Sequence, residues 1–242
     1  MKRLKMSNNG EEEGKYKLRT ENEEWKTSSR GFTGQGTAFY DNKDIYEGDF
    51  VDGIRSGTGV YRYDKTGHRY EGGWEENVKS GIGKMIYNGV GEYHGYWENG
   101  RRHGEGMFTY KTTGDVYSGW WKYGEKQGYG TYIFKETGMK MCGEWTSGQL
   151  QKGQWIYPNG VYFDGNFENN KPKGKGTWFF KNGNTLEGTF EQKPKVKADD
   201  DPESEPEVDE NGEPKAKKTK FDLVWNTSTC IAVSAHQVNS VE

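Results

Sequence analysis

The chain has 242 residues, of which only 30% are hydrophobic, yet it holds 36 glycines, 16 tyrosines, 11 phenylalanines and 9 tryptophans. So little aliphatic content excludes an ordinary globular core, and so many rings exclude a wholly disordered chain, which is usually poor in aromatics. A net charge of −3, from 34 basic and 37 acidic residues, argues against a general nucleic-acid binder, and two cysteines, Cys142 and Cys230, exclude a disulfide framework and a four-cysteine zinc site.

Residues 1–30 begin MKRLKMSNNGEEEGKYK. The stretch is basic but has no apolar run of the signal-peptide kind, and no window reaches the roughly 18 apolar residues of a membrane span. With the sparse cysteines, this predicts an intracellular protein without a transmembrane span. The segment reads as a flexible lead-in, with Trp25 placed to tuck over the first ordered element.

From residue 31 to 190 the chain repeats. A glycine follows each aromatic-plus-one pair at Gly48, Gly72, Gly95, Gly119, Gly143, Gly165 and Gly188, at intervals of 24, 23, 24, 24, 22 and 23. The units read YEGDFVDGIRSGTGVYRY, YEGGWEENVKSGIGKMIY, YHGYWENGRRHGEGMFTY, YSGWWKYGEKQGYGTYIF, MCGEWTSGQLQKGQWIY and FDGNFENNKPKGKGTWFF. A seventh, LEGTF, is cut short, and GQGTAFYDNKD before the first looks like the second half of another. Within each, alternation has period two. Tyr46, Gly48 and Phe50 share one face, and after a VDGIRS loop Gly57, Gly59, Tyr61 and Tyr63 share it again. Each unit is therefore a β-hairpin, joined to the next by a turn such as DKTG, KTTG or PNG.

The predicted fold is all-β: a single elongated, twisted antiparallel meander that advances about 10 Å per repeat. Isolated hairpins are marginal in water, so stability is a sum over neighbours. A strand glycine costs about 0.5–1 kcal/mol relative to alanine, and the seven structural glycines are tolerated because each leaves a hollow that a ring covers. One face carries rings, and Glu47, Asp49, Arg62, Glu71, Lys84, Asp164 and Glu187 make the other polar.

Residues 191–220 change character. Nine carboxylates lie between Asp199 and Glu213, with four prolines from Pro194 to Pro214 and no aromatic residue, which predicts a disordered acidic insertion. In residues 221–242 order returns. FDLVW, Phe221 to Trp225, alternates as a strand that would partner LEGTF and complete the last hairpin, and TCIAVSAHQV, Thr229 to Val238, reads as a further strand capping the sheet.

Nothing in this pattern assembles a catalytic, metal or cofactor site. His68, His94 and His103 fall in different repeat positions, and with His236 they make no ligand set. Cys142 occupies a slot held elsewhere by Glu47, Glu71, His94 or Ser118. No glycine-rich phosphate loop is present, because each GxG is followed by an alternating strand rather than a helix. The functional expectation is protein contact. The rows Trp74, Trp97, Trp121, Trp145 and Phe167, and Tyr87, Tyr110, Phe134, Tyr157 and Phe180, would form an aromatic trough with anchors for a partner. Open edge strands also leave pairing with a second copy available. Basic residues at one repeat phase (Arg55, Lys79, Arg101, Arg102, Lys126, Lys152, Lys171 and Lys173) would line one edge, facing an acidic partner or acidic lipid headgroups.

The YxGxW…GxGxxxY…G pattern resembles the MORN repeat across most of residues 34–190, with Met141 and Leu186 replacing the leading aromatic and Gln151 the first glycine of GxG. YSGWWKYGEKQGYGTYIFKETGMK, the following GEWTSGQLQKGQWIYPNGVYFDGNFENNKPKGKGTWFFKNGN, and an acidic insertion before FDLVW and TCIAVSAH are similar to the MORN-bearing proteins of radial spoke heads in motile cilia and flagella. That resemblance implies a non-catalytic structural subunit of the 9+2 axoneme, in the cytoskeleton of a cilium or flagellum, contacting other spoke-head subunits. Other MORN proteins imply the alternative of a membrane or cytoskeletal tether.

Overall fold

The computed structural model describes residues 16–194 and 221–231, which fall into two compact units divided after Thr137. In the first unit the strands are β1 (Lys17–Thr20), β2 (Trp25–Lys26), β3 (Gly34–Phe39), β4 (Ile45–Val51), β5 (Ile54–Arg62), β6 (Arg69–Glu75), β7 (Val78–Tyr87), β8 (Gly91–Glu98), β9 (Arg101–Tyr110), β10 (Val116–Lys122) and β11 (Glu125–Ile133). β1 lies between β2 and β3, and from β3 each strand pairs antiparallel with the next through β11. The second unit holds β12 (Lys140–Thr146), β13 (Gln149–Ile156), β14 (Tyr162–Glu168), β15 (Lys171–Phe179), β16 (Thr185–Pro194) and β17 (Phe221–Ile231), again paired in chain order. The fold is all-β, antiparallel and built from tandem hairpins, as the alternation predicts.

The hairpins are tighter than the expected VDGIRS-type loop. They close through two-residue turns in which both residues have positive φ: Asp52–Gly53, Glu76–Asn77, Asn99–Gly100, Tyr123–Gly124, Ser147–Gly148 and Asn169–Asn170. This is the type I′ geometry, whose twist matches that of the flanking strands. Beyond the turn the second strand bulges. Gly48 pairs with Gly59 but Phe50 with Arg55, so β5 carries two extra residues. The first glycine of GxG absorbs the bulge in the left-handed region, at φ 63° for Gly57, 66° for Gly81, 56° for Gly104, 64° for Gly128 and 74° for Gly174. Where Gln151 replaces that glycine the bulge shrinks to a single extra residue.

The second glycine of GxG faces the glycine of YxG across the ladder, as in Gly95–Gly106. The leading ring lies over this pair: a Cβ on Gly106 would stand 2.3 Å from the Tyr93 Oη, and one on Gly95 would stand 2.5 Å from the Gly106 Cα. Only bare backbone fits. The ring is tied down at its far end, because the hydroxyls of Tyr46, Tyr70 and Tyr93 each donate to a carbonyl three residues on, at 2.9 Å. The Tyr117 hydroxyl does the same to Trp120 at 3.1 Å.

In the first unit the tryptophan of each YxGxW hairpin then links it to the hairpin before. The indole N–H of Trp74 donates to the Gly59 carbonyl at 3.2 Å, that of Trp97 to Gly83 at 3.2 Å and that of Trp121 to Gly106 at 3.1 Å. The rings form one continuous edge-to-face series, Phe50–Tyr46–Trp74–Tyr70–Trp97–Tyr93–Trp121–Tyr117, with centroids 5.1 to 5.4 Å apart. Such pairs contribute about 0.5–1.5 kcal/mol each beyond their burial. In the second unit Phe163 covers Gly165 and Gly176, and Trp225 of β17 covers Gly188. Trp225 also packs on Phe190 at 4.8 Å.

Two sequence expectations are corrected at the ends. Residues 17–26 are not a lead-in, because β1 pairs with β3 and buries Leu18 against Gly36. The expected tuck of Trp25 takes the form of a 5.8 Å contact with Phe39. At the other end, Thr229–Ile231 continue β17 rather than begin another strand. β17 pairs with β16 from Ile231 opposite Thr185 to Phe221 opposite Pro194. The acidic stretch 195–220, and residues 1–15 and 232–242, lie outside the described residues.

Trp121→Ala removes both the ring and its bond to the preceding hairpin. It is expected to cost about 3–5 kcal/mol, the usual range for deleting a buried aromatic. Urea melts measure this, and a loss below about 1 kcal/mol would contradict the packing described.

Candidate functional site: a cation-topped aromatic face

The two expected rows of the trough are not equivalent. Trp74, Trp97, Trp121, Trp145 and Phe167 are between 2% and 6% exposed, so the expectation that they present themselves to a partner is corrected: they are core. In the first unit the leading tyrosines on either side enclose them. Tyr87, Tyr110, Phe134 and Tyr157 are half-buried and Phe180 is exposed. Tyr40 and Tyr63 extend this outer row toward the amino terminus; the alternation already puts Tyr63 on the ring face, but neither is among the rings expected to face a partner. Tyr63 packs on Tyr61 at 4.5 Å, Tyr110 on Phe108 at 4.6 Å and Phe134 on Tyr132 at 4.8 Å.

Between the inner and outer rows lies a row of cations. β5 begins at Ile54, directly after the turn, so Arg55 belongs to a strand and shares parity with Gly59 and Tyr61. Its guanidinium stands 4.7 Å from the Trp74 ring and 5.2 Å from Tyr61. Lys79 Nζ is 4.4 Å from Trp97, Arg102 is 4.4 Å from Trp121, and Lys126 Nζ is 4.9 Å from Tyr132. The arginines are anchored at the next hairpin turn. Arg55 donates to the Asn77 carbonyl at 2.8 Å, and Arg102 to the Gly124 carbonyl at 2.6 Å. These four were expected along one edge; they lie on the ring face instead.

The other basic residues of that phase behave differently. Arg101 and Lys152 are exposed, and Lys173 pairs with Glu168. Lys171 lies 5.6 Å from the Phe221 ring and donates to the Phe221 carbonyl at 3.3 Å. At the position of Arg55, Lys79, Arg102 and Lys126, the second unit carries Leu150 and Pro172, both buried. The cation row thus belongs to the first unit.

Stacking a cation on rings removes water from it. Lys79 and Lys126 are pushed down to about 8, first by burial and then by the like charge of Arg102. Burial raises Tyr63, Tyr87 and Tyr110 above their ordinary value. Among the described residues no carboxylate forms an ion pair with Arg55, Lys79 or Arg102. The face therefore offers positive charge and ring edges together, which suits a ligand carrying carboxylates beside apolar groups.

The opposite face is polar at Glu47–Arg62 and at Lys84–Glu92, ion pairs of 3.3 and 2.8 Å. It is not polar throughout, because Ile82, Tyr96, Met107, Trp120 and Tyr129 are exposed there. Apart from Val60 in the slot of Met107, these slots in the other hairpins hold polar or small residues, a departure that the overall alternation concealed. Among the described residues no group of three or more His, Cys, Asp or Glu side chains converges on a metal-sized site, and no helix is long and apolar enough to cross a membrane.

Comparison with known families matches the MORN repeat at residues 46–66, 70–89, 93–114, 117–138 and 163–185. The chain carries a MORN-repeat domain. The unmatched interval contains the hairpin with Gln151 and Leu150. No curated protein sequence matches the chain. Among solved structures, the TCP domain of SAS-4 (dCPAP) of Drosophila melanogaster, in complex with a proline-rich motif of Ana2 (dSTIL), is 15% identical, with a TM-score of 0.41 over 64% of this chain and 83% of that one. So loose a likeness says nothing of what this chain does.

The depressed lysines and elevated tyrosines fix a pH profile. Lys79 titrates near 8 in the folded chain against its ordinary 10.5, so between these values the unfolded chain holds more protons and stability rises with pH. The tyrosines titrate higher folded than their ordinary 10.0, so above about pH 10 the folded chain holds more protons and stability falls. Urea midpoints are expected to climb from about pH 8 to about pH 10 and then drop. Lys79→Met with Lys126→Met should flatten the climb, and an unchanged slope in that variant would contradict the assignment.

Proposed function

We propose that the chain is a non-catalytic interaction scaffold that holds an acidic segment of a partner protein along the cation-topped aromatic face of its first unit. The observation that carries this is the row Arg55, Lys79, Arg102 and Lys126, stacked on rings one repeat apart and replaced by Leu150 and Pro172 in the second unit. A desolvated cation on a ring is paid for by the fold, and a partner carboxylate recovers part of that cost. Adjacent half-buried tyrosines supply apolar contact without side chains that must be ordered on binding.

At finer grain, we propose a structural subunit of the radial spoke head of the ciliary or flagellar axoneme, contacting other spoke-head subunits. The support is the similarity of residues 117–184, the acidic stretch and FDLVW to the MORN-bearing proteins of that assembly.

Affinity capture from detergent-free axonemal extract, with the full chain as bait, tests both levels. Spoke-head proteins should be recovered stoichiometrically by the wild type, and recovery should weaken as salt rises. The double variant Lys79→Glu/Arg102→Glu should lose at least tenfold in affinity, about 1.4 kcal/mol. Spoke-head recovery indifferent to the charge reversal would overturn the site while leaving the assembly. Flotation with vesicles rich in acidic lipid, abolished by the same variant, would replace the protein partner with a membrane surface.

A further inference from the structure

On the face opposite the cations, the structure assigns a second docking surface in the first unit: a row formed by Ile82, Tyr96, Glu105, Trp120 and Tyr129, which we infer receives an amphipathic helix bearing a basic residue at the centre of its apolar face. The row crosses β7, β8, β9, β10 and β11 in order. Ile82 stands opposite Tyr96, and Glu105 opposite Trp120. The apolar members are well exposed, with Trp120 at 49% and Tyr129 at 64%. With His94, Met107 and Ser118 they border a shallow depression of about 570 Å³, floored by Gly95, Gly106, Gly119 and Gly130. Large rings set around a glycine floor and left to water are unusual on a monomer surface and mark a contact.

The geometry selects the occupant. Every edge of β8, β9 and β10 is already hydrogen-bonded to a neighbouring strand. An extended peptide laid on this face would therefore find no backbone partner for its own amides, and burying them unpaired is costly. A helix satisfies its backbone internally. Four strand spacings of about 4.8 Å make the row about 19 Å long, which a helix of about 13 residues spans at 1.5 Å per residue. Charge then sets the pattern. Glu105 sits between Tyr96 and Trp120, and among the described residues its carboxylate has no ion-pair or hydrogen-bond partner. A lysine or arginine at mid-helix, flanked by apolar residues one turn away on each side, pairs with it while the rings cover the flanks.

The surface is independent of the cation row, so it stands or falls without the proposed function. The test is selection of a phage-displayed library of helix-forming peptides of about 14 residues, long enough for the row, on the intact chain. Selected sequences should be amphipathic with a central lysine or arginine. The variant Trp120→Ser/Tyr129→Ser, with an unchanged circular dichroism spectrum, should bind them at least about tenfold more weakly. Glu105→Lys should switch the selected central residue to aspartate or glutamate. Four results would overturn the inference. These are no enrichment on the wild type, equal binding by the double variant, selection of extended or proline-rich sequences, and a sedimenting dimer that Trp120→Ser dissociates, which would mean that a second copy occupies the face.

Discussion

The structure depends on one contact: a ring laid over two glycines that face each other across a strand pair. The approach is so close that no Cβ fits at Gly95 or Gly106. That closeness lets a tyrosine hydroxyl reach past the glycines to a carbonyl on its own strand, and a tryptophan from the next hairpin settle against the same ring. Each hairpin thus gains order from the next, as expected for a repeat array whose single units would not fold alone. Losing backbone freedom at the glycines costs about 0.5–1 kcal/mol per residue relative to alanine, and the gain per covering ring is several times larger.

Function follows from what this packing leaves over. On the ring face, once the inner tyrosines and tryptophans are consumed by the core, only the outer row and the cations stacked between the rows are left at the surface. The bulge beyond each turn keeps Arg55, Lys79 and Arg102 in phase with the rings, so charge is repeated at the period of the fold. On the reverse face no packing constrains the outward slots. There the sequence of the first unit is free to depart from polarity, and it does so at Tyr96, Trp120 and Tyr129.

Much of this was legible in the sequence, for physical reasons. Alternation with period two and glycines spaced 22 to 24 apart admit little but strands of fixed length, so the hairpins and the covered glycines could be read directly. The site was harder. Trp97 and Tyr87 look alike as exposed-face aromatics until the neighbouring hairpin is in place, and only then is one enclosed and the other left half open. Arg55 read as a loop residue because VDGIRS looks like a loop. The two-residue turn at Asp52–Gly53 returns it to a strand. β1 was concealed because KLRT has a single aliphatic residue, Leu18, whose burial depends on a glycine in β3.

Hydrogen–deuterium exchange on Gly95→Ala tests the central claim most directly, because it disturbs one ring-over-glycine contact without removing a ring. If hairpins draw their order from their neighbours, protection should fall in β8 and β9 and also in the flanking β6–β7 and β10–β11, declining with distance along the first unit. Loss confined to β8 and β9, with the flanking hairpins as protected as in the wild type, would contradict the account.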